Sequence, residues 1–332
     1  MDKSKKLHTY SEAIRSGFEY LLDNYPDVFV IGQGLWSPWY VGKTMTDLDK
    51  KFGKSRIIDT PVSESACTGA AIGAAISNMK PIVVHPRMDF MLYAVDSIVN
   101  QAAKWSFIYG GQSQAGVTIR SIINRGGEQG AQHSQSLHSW FAHIPGLKVL
   151  MPSTVADARD MLIAATLSKD PVLYIDDRWL YELSEEIPEI EERDINYFVP
   201  SYLSRGEDIT IVSAGFSTKI ALDVKELLKY DHVSVEVIDL RTINPFRDEI
   251  ILESVKKTKR LIAIDGGWKF CGLSSEILSS VFEKIEPDLL LAKPKRITLP
   301  FTPAPSAKNH EQNYYPKALD ISKIAKEMIK KS

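Results

Sequence analysis

At 332 residues the chain is long enough for about two domains, and 44% hydrophobic with 25% charged residues is the composition of an ordinary globular protein. Forty Lys and Arg against 42 Asp and Glu leave a net charge of −2, which gives no electrostatic reason to bind nucleic acid or an anionic membrane. Two distant cysteines, Cys67 and Cys271, cannot build a disulfide framework and point to a reducing compartment. The basic start, Met1-Asp-Lys-Ser-Lys-Lys, has no apolar stretch behind it, so no secretory signal is expected. The longest apolar runs, Ile82–Val84 and Leu289–Ala292, are far short of a membrane span.

In chain order, helical spacing of Ala13, Ile14, Phe18, Leu21 and Leu22 predicts a helix over 10–22. Strands follow at 28–31 and 56–58, then a helix of small residues at 65–77, a strand at 82–84 and a helix at 96–105. Strands at 117–119 and 147–150, a helix at 154–167 opened by Ser153 or Thr154 with Asp157, and a strand at 172–175 complete the first set. Seven acidic residues around Pro188, over 182–196, read as a solvated, poorly packing interdomain linker. Beyond it the alternation resumes with strands at 209–212, 233–238 and 260–264 and helices at 217–228, 247–258 and 273–285. Strands separated by helices of this length make right-handed βαβ units. The expected fold is α/β, with two doubly wound, mostly parallel-sheet domains at 1–195 and 196–332.

Three stretches carry chemistry-bearing residues. In Asp59-Thr-Pro-Val-Ser-Glu64, followed by Gly69 and Gly73, a carboxylate sits where a strand passes into a helix. On physics alone Glu64 merely favours the positive end of the helix dipole. In Gly126–His138, glycines, Gln, Ser and His follow a strand end, where open α/β sheets bind ligands. His133 there either exchanges a proton near neutral pH or is a structural hydrogen-bonder. His133, His138 and His143 lack an accompanying Cys or carboxylate set, which argues against a metal site. In Asp239-Leu-Arg241-Thr-Ile-Asn-Pro245, Asp239 and Arg241 brace loops or a subunit contact, and Asp265-Gly-Gly-Trp268 is a second strand-to-helix turn. No phosphate-cradling G-x-x-x-x-G-K-[ST] or G-x-G-x-x-G is present.

Together with Gly110-Gly111, Pro145-Gly-Leu-Lys-Val149, Asp170-Pro-Val172 and Pro303-Ala-Pro-Ser-Ala-Lys308, these segments, running from about residue 7 to residue 330, resemble one family. It is the beta subunit of the thiamine-diphosphate-dependent first component of the 2-oxo acid dehydrogenases, of pyruvate or branched-chain type, in the transketolase-like superfamily. The resemblance implies a pyrimidine-binding domain followed by a transketolase C-terminal-like domain. It also reverses the reading of Glu64. The matching glutamate hydrogen-bonds N1′ of the aminopyrimidine and favours the tautomer whose imine removes the thiazolium C2 proton. A buried carboxyl with a raised pKa suits that exchange. Phe90 matches the aromatic beside the pyrimidine, and Tyr93 is a neighbouring pocket candidate; core packing is the alternative for both. His133 matches a histidine near the substrate and the incoming lipoyl group. Carbonyls around Ile119, Ala165 and Asp170 match a monovalent-cation site that would take K+.

The chain lacks the family's Gly-Asp-Gly and following Asn, which hold Mg2+ and the diphosphate, and Asp265-Gly-Gly is no substitute. The resemblance therefore implies an alpha subunit that supplies that half, an α2β2 heterotetramer and a lipoyl acyltransferase core as a further partner. Many relatives carry Gly-Glu-Asp or Gly-Glu-Glu where this chain has Gly32-Gln33-Gly34. That acidic residue is thought to join a carboxylate chain between two active sites, whereas Gln33 hydrogen-bonds without charge; Asp89 is a carboxylate in a neighbouring segment. The aromatic run Trp36-Ser-Pro-Trp39-Tyr40 suits a partner contact or a channel mouth. The competing readings are a split transketolase-like ketol or acyl transferase and a non-catalytic scaffold subunit.

Overall fold

A capping box opens the first helix. In the computed structural model, which describes residues 7–330, Thr9 accepts the Glu12 N–H at 3.2 Å and the Glu12 carboxylate accepts the Thr9 N–H at 2.8 Å. Strand β1 (Leu7–Thr9) thus turns directly into α1 (Tyr10–Asn24), which buries Tyr10, Ile14, Phe18 and Leu21. Then come β2 (Val28–Gln33), α2 (Leu48–Phe52), β3 (Ile57–Thr60), α3 (Glu64–Ile76), β4 (Lys80–His85), α4 (Met88–Met91), α5 (Ala103–Ile108) and β5 (Thr118–Ile123). After α6 (His138–Ala142) the chain forms β6 (Lys148–Leu150), α7 (Val155–Leu167), β7 (Val172–Asp177) and β8 (Ser184–Glu186).

Six of these strands lie in the order β6-β7-β5-β4-β2-β3, and every neighbouring pair is parallel. Strands β5 and β7 are buried at every position, as a parallel sheet covered on both faces requires. Between them Arg120 donates to the Asp176 carboxylate at 3.0 and 2.7 Å and to Thr44 Oγ1 at 2.8 Å, all fully buried. Burial opposes the charge on Arg120, but Asp176 beside it holds the guanidinium pKa above its ordinary value.

The second set is β9 (Ser201–Ser204), β10 (Ile209–Ser213), α8 (Phe216–Lys229), β11 (Val235–Asp239), β12 (Thr242–Asn244), α9 (Glu249–Thr258), β13 (Leu261–Trp268), α10 (Leu273–Lys284), β14 (Lys295–Leu299), α11 (Lys308–Tyr314) and α12 (Ala318–Lys330). Its five-stranded sheet has the order β14-β13-β10-β11-β9, parallel except for β9. Ile209, Ile211, Val224, Val237 and Ile264 form its core with Ile321 and Met328 of α12, which packs on α8. Asp239 accepts the Thr218 hydroxyl and the Arg241 N–H, and Arg241 donates to the Val199 carbonyl, so this turn braces loops.

Two compact units result: residues up to Asn124 with Trp140–Phe198, and Arg125–Ser139 with the chain from Val199 onward. The chain-order boundary at 195/196 lies within three residues of the second crossover into the latter unit, but 125–139 joins that unit rather than the first domain. The acidic 182–196 stretch differs from a free linker. β8 pairs antiparallel with β1, Glu185 accepts the Val155 N–H at 3.0 Å, and Glu192 accepts the Tyr20 and Tyr25 hydroxyls at 2.8 and 2.5 Å. Its carboxylates find donors on α1 and at the positive end of α7, a use that composition does not reveal. In place of a regular helix at 96–105, Ser97–Ala102 forms a π-helix before α5. Thr154 is the cap of α7 and accepts the Asp157 N–H. Among the described residues no helix is long and apolar enough to cross a membrane.

Candidate active site

The C-terminal ends of β2, β3 and β4 and the first turn of α3 wall a small open-mouthed recess, lined among others by Gln33, Thr60, Glu64, Cys67 and His85. Open parallel sheets bind ligands at this end of their strands. Gly32 is needed at the floor, since a Cβ there would stand 2.4 Å from the Val84 carbonyl oxygen. Glu64 is the first residue of α3, at the positive end of the helix, and is half-buried. The expected enclosure of its carboxyl is thus only partial within this chain. Among the described residues no donor pairs with that carboxylate.

The first turns of α3 are pinned from both sides. Cys67 Sγ donates to Thr60 Oγ1 at 3.3 Å, and Thr68 Oγ1 lies 3.1 Å from His85 Nε2. Burial holds the His85 ring down to about 4, so it is neutral at physiological pH and shares one hydroxyl with α3. His85 escaped the sequence reading; its signal is a polar side chain ending the apolar run Ile82-Val-Val84. The turn after β2 is equally tied: Asp59 accepts the Gly34 N–H at 2.7 Å, Trp36 Nε1 donates to the Ile57 carbonyl at 2.8 Å, and Gln33 Nε2 donates to the Tyr40 hydroxyl at 3.1 Å. Gly34 has φ +71°, and a Cβ there would meet the Tyr40 ring at 2.1 Å. Of the aromatic run, Tyr40 is therefore folded against Gly34 and Gln33, while Trp36, tied to the start of β3, and Trp39 stay 40% and 69% exposed.

Comparison with known proteins agrees with this geometry. The model of the transketolase pyrimidine-binding domain matches residues 6–182, and that of the transketolase C-terminal domain matches 201–321. The "Pyruvate dehydrogenase E1 component subunit beta, mitochondrial" of Saccharomyces cerevisiae is 36% identical over 330 residues, covering 98% of this chain and 90% of that one. The "Acetoin:2,6-dichlorophenolindophenol oxidoreductase subunit beta" of Bacillus subtilis is 36% identical over 336 residues, with 98% of each covered. The chain belongs to the beta subunits of the 2-oxo acid dehydrogenase first component. A solved chain described as "Split gene transketolase, inactive beta4 tetramer" superposes with a TM-score of 0.76 at 19% identity, covering 97% of this chain and 98% of that one, a likeness of fold. The protein is thus a subunit of an oxidoreductase, and its family implies dependence on thiamine diphosphate.

In this beta subunit the other expected site residues are distributed as follows. Phe90 is half-buried in α4, and Tyr93 is 74% exposed, so core packing does not account for Tyr93. Neither is among the residues lining the recess around Glu64. His133 is half-buried in the 125–139 segment, with its backbone N–H donating to the Gly130 carbonyl at 3.4 Å. Of the three residues expected at a cation site, Ile119 lies in β5 and Ala165 in α7, while Asp170 follows Ser168 and Lys169, whose backbone oxygens would stand 2.7 and 3.1 Å from a Cβ on Gly116. The Ala165 carbonyl accepts the Ser168 N–H, and the Asp170 carboxylate pairs with Lys148 at 3.0 Å.

Proposed function

We propose that this chain supplies the pyrimidine half of a thiamine diphosphate site to an α2β2 enzyme. That enzyme would oxidatively decarboxylate a small 2-oxo acid such as pyruvate and transfer the acyl group to a lipoyl acceptor. The observation that carries the reading is Glu64, a carboxylate at the mouth of a recess at the strand ends of a pyrimidine-binding domain. The donor set fits an aminopyrimidine: one carboxylate, the Gln33 amide and the Thr60 hydroxyl line the same wall. It does not fit a diphosphate with Mg2+, because the sequence has no Gly-Asp-Gly. An alpha subunit therefore holds that half.

When bound, thiamine diphosphate supplies carbanion chemistry at the substrate carbonyl. Glu64 would hold and exchange a proton at the pyrimidine N1′, and Phe90 and Tyr93 would be the aromatic side chains offered to the cofactor. His133 orients the 2-oxo acid and assists proton transfer as the acyl group leaves. The carbonyls near Ile119, Ala165 and Asp170 would hold K+ as a structural ion. A lipoyl acyltransferase core is the onward partner, in the cytoplasm or an organelle matrix.

The Bacillus subtilis relative gives acetoin an equal claim on the substrate panel, since its match is as long and as similar as that of the yeast protein. The test is co-expression with the alpha chain, followed by assay of pyruvate, branched 2-oxo acids and acetoin with an artificial electron acceptor. Turnover that needs both chains and falls on the order of a thousandfold in Glu64→Gln supports the reading. Turnover by the purified beta chain alone, or full activity in Glu64→Gln, would sink it.

A further inference from the structure

Five residues beyond His133 the chain buries a second histidine. His138 opens α6 and is 1% exposed; its Nδ1 lies 2.9 Å from Ser136 Oγ and its Nε2 lies 3.0 Å from Asp265 Oδ1. Ser136 is 4% and Asp265 2% exposed, so the whole Ser-His-Asp line is withdrawn from water. No substrate reaches a hydroxyl buried in this way, so the line is not a nucleophilic triad in spite of its composition.

Its attachments show what it does. Asp265 lies within β13, and its carboxylate also accepts the Gly267 N–H at 2.8 Å and the Ser274 N–H, in the first turn of α10, at 3.0 Å. Burial pushes the Asp265 carboxyl up, but the charge and hydrogen bond of His138 and the two N–H donors more than offset this and hold it below the usual carboxylate range. An ionised Asp265 fixes Nε2 as the protonated nitrogen of His138. Ser136 then serves Nδ1 in either state, because a hydroxyl both donates and accepts. The backbone is shaped to admit the ring: a Cβ on Gly267 would stand 3.1 Å from His138 Cε1, and one on Gly272 would stand 2.9 Å from Asp265 Oδ2. Ser139 Oγ accepts the Leu273 N–H at 3.0 Å, a further tie to α10. At the other end of the segment, Glu311 accepts the Glu128 N–H through both carboxylate oxygens, at 3.1 and 3.0 Å.

We propose that Ser136, His138 and Asp265 are a positioning relay: they clamp the 130–136 segment to β13 and α10 and so set where His133 points. The proposal rests on the role given to His133 above. A buried charged hydrogen bond gives the segment one discrete seat, where a surface loop would sample many. His138 is a positioning residue and touches no reacting atom.

The test is a double-mutant cycle in the reconstituted α/β enzyme, with hydrogen exchange as a readout independent of turnover. His138→Ala is expected to speed amide exchange over 130–136 and to lower kcat on the order of ten- to a hundredfold with KM moving much less. In the His133→Ala background it is expected to cost nothing further, and His138→Gln, which can reach both partners, recovers most of the loss. Where His138→Ala does not fold, Ser136→Ala serves as the milder cut and is expected to act in the same direction. Unchanged exchange over 130–136, or a kcat loss that adds fully to that of His133→Ala, would overturn the relay. Faster exchange together with a silent His133→Ala would support the clamp and instead overturn the role assigned to His133.

Discussion

The Glu64 recess and the His138–Asp265 pair both put a carboxylate at the first turn of a helix beside a parallel sheet, Glu64 as the first residue of α3 and Asp265 from within β13 against α10. They treat it in opposite ways. Asp265 is closed off by three donors from its own chain. Glu64 is half-buried and has no donor among the described residues. A buried carboxylate that is fully hydrogen-bonded is held in one charge state, whereas one left with spare acceptor capacity can exchange a proton with whatever docks. The comparison separates an acid whose acceptor sites are filled by its own chain from one whose acceptor sites are open to a docking group.

The largest effect expected to sharpen this contrast is Glu64→Gln: turnover of the α/β enzyme falls on the order of a thousandfold while the thermal midpoint of the beta chain barely moves. A matching loss of stability would show that Glu64 is as structural as Asp265. On the satisfied side, Asp176→Asn strips the buried Arg120 of its counter-charge and is expected to cost about 3–5 kcal/mol in denaturant unfolding. His85 tests the same idea by pH. Its folded pKa of about 4 lies below the ordinary value of 6.5, so the unfolded chain binds the extra proton first as pH falls. Stability should therefore drop by about 3 kcal/mol between pH 6.5 and 4, and His85→Gln should flatten that slope. The smallest expected effect lies on the exposed side of α3. A Cβ on Gly73 would meet nothing within 4 Å, so Gly73→Ala should stabilise the isolated chain by about 1 kcal/mol. A loss of stability in the assembled enzyme alone would locate a neighbour that needs the missing methyl.

Much of this was legible in the residues. The alternation of apolar strands with helical spacing predicted both parallel sheets, because two-sided burial makes parallel strands continuous apolar runs. Glu64 stood out through its strand-turn-helix setting, and the ordered motifs then gave it a role. The C-terminal α12 went unread although Ile321, Ala325 and Met328 are helically spaced, since its charged residues dilute the apolar stripe. The acidic 182–196 stretch misled because composition records charge and not the tyrosine hydroxyls and helix N-terminus that receive it. The His138–Asp265 pair joins residues 127 apart in sequence, and no local pattern relates a histidine after one strand to an aspartate in another sheet.

The routing of the chain has a practical side. It enters the second unit at 124/125, leaves at 139/140 and returns at 198/199, so no single cut separates the two bodies. A fragment beginning at residue 196 would carry Asp265 without His138, leaving the carboxylate short of its side-chain donor, and would deprive the Leu273 N–H at the start of α10 of Ser139 Oγ. Swapping C-terminal halves between relatives would meet the same obstacle. A graft that brings the 125–139 ribbon along with the residues after 198 keeps the pair intact, so the natural unit of exchange here is a discontinuous one.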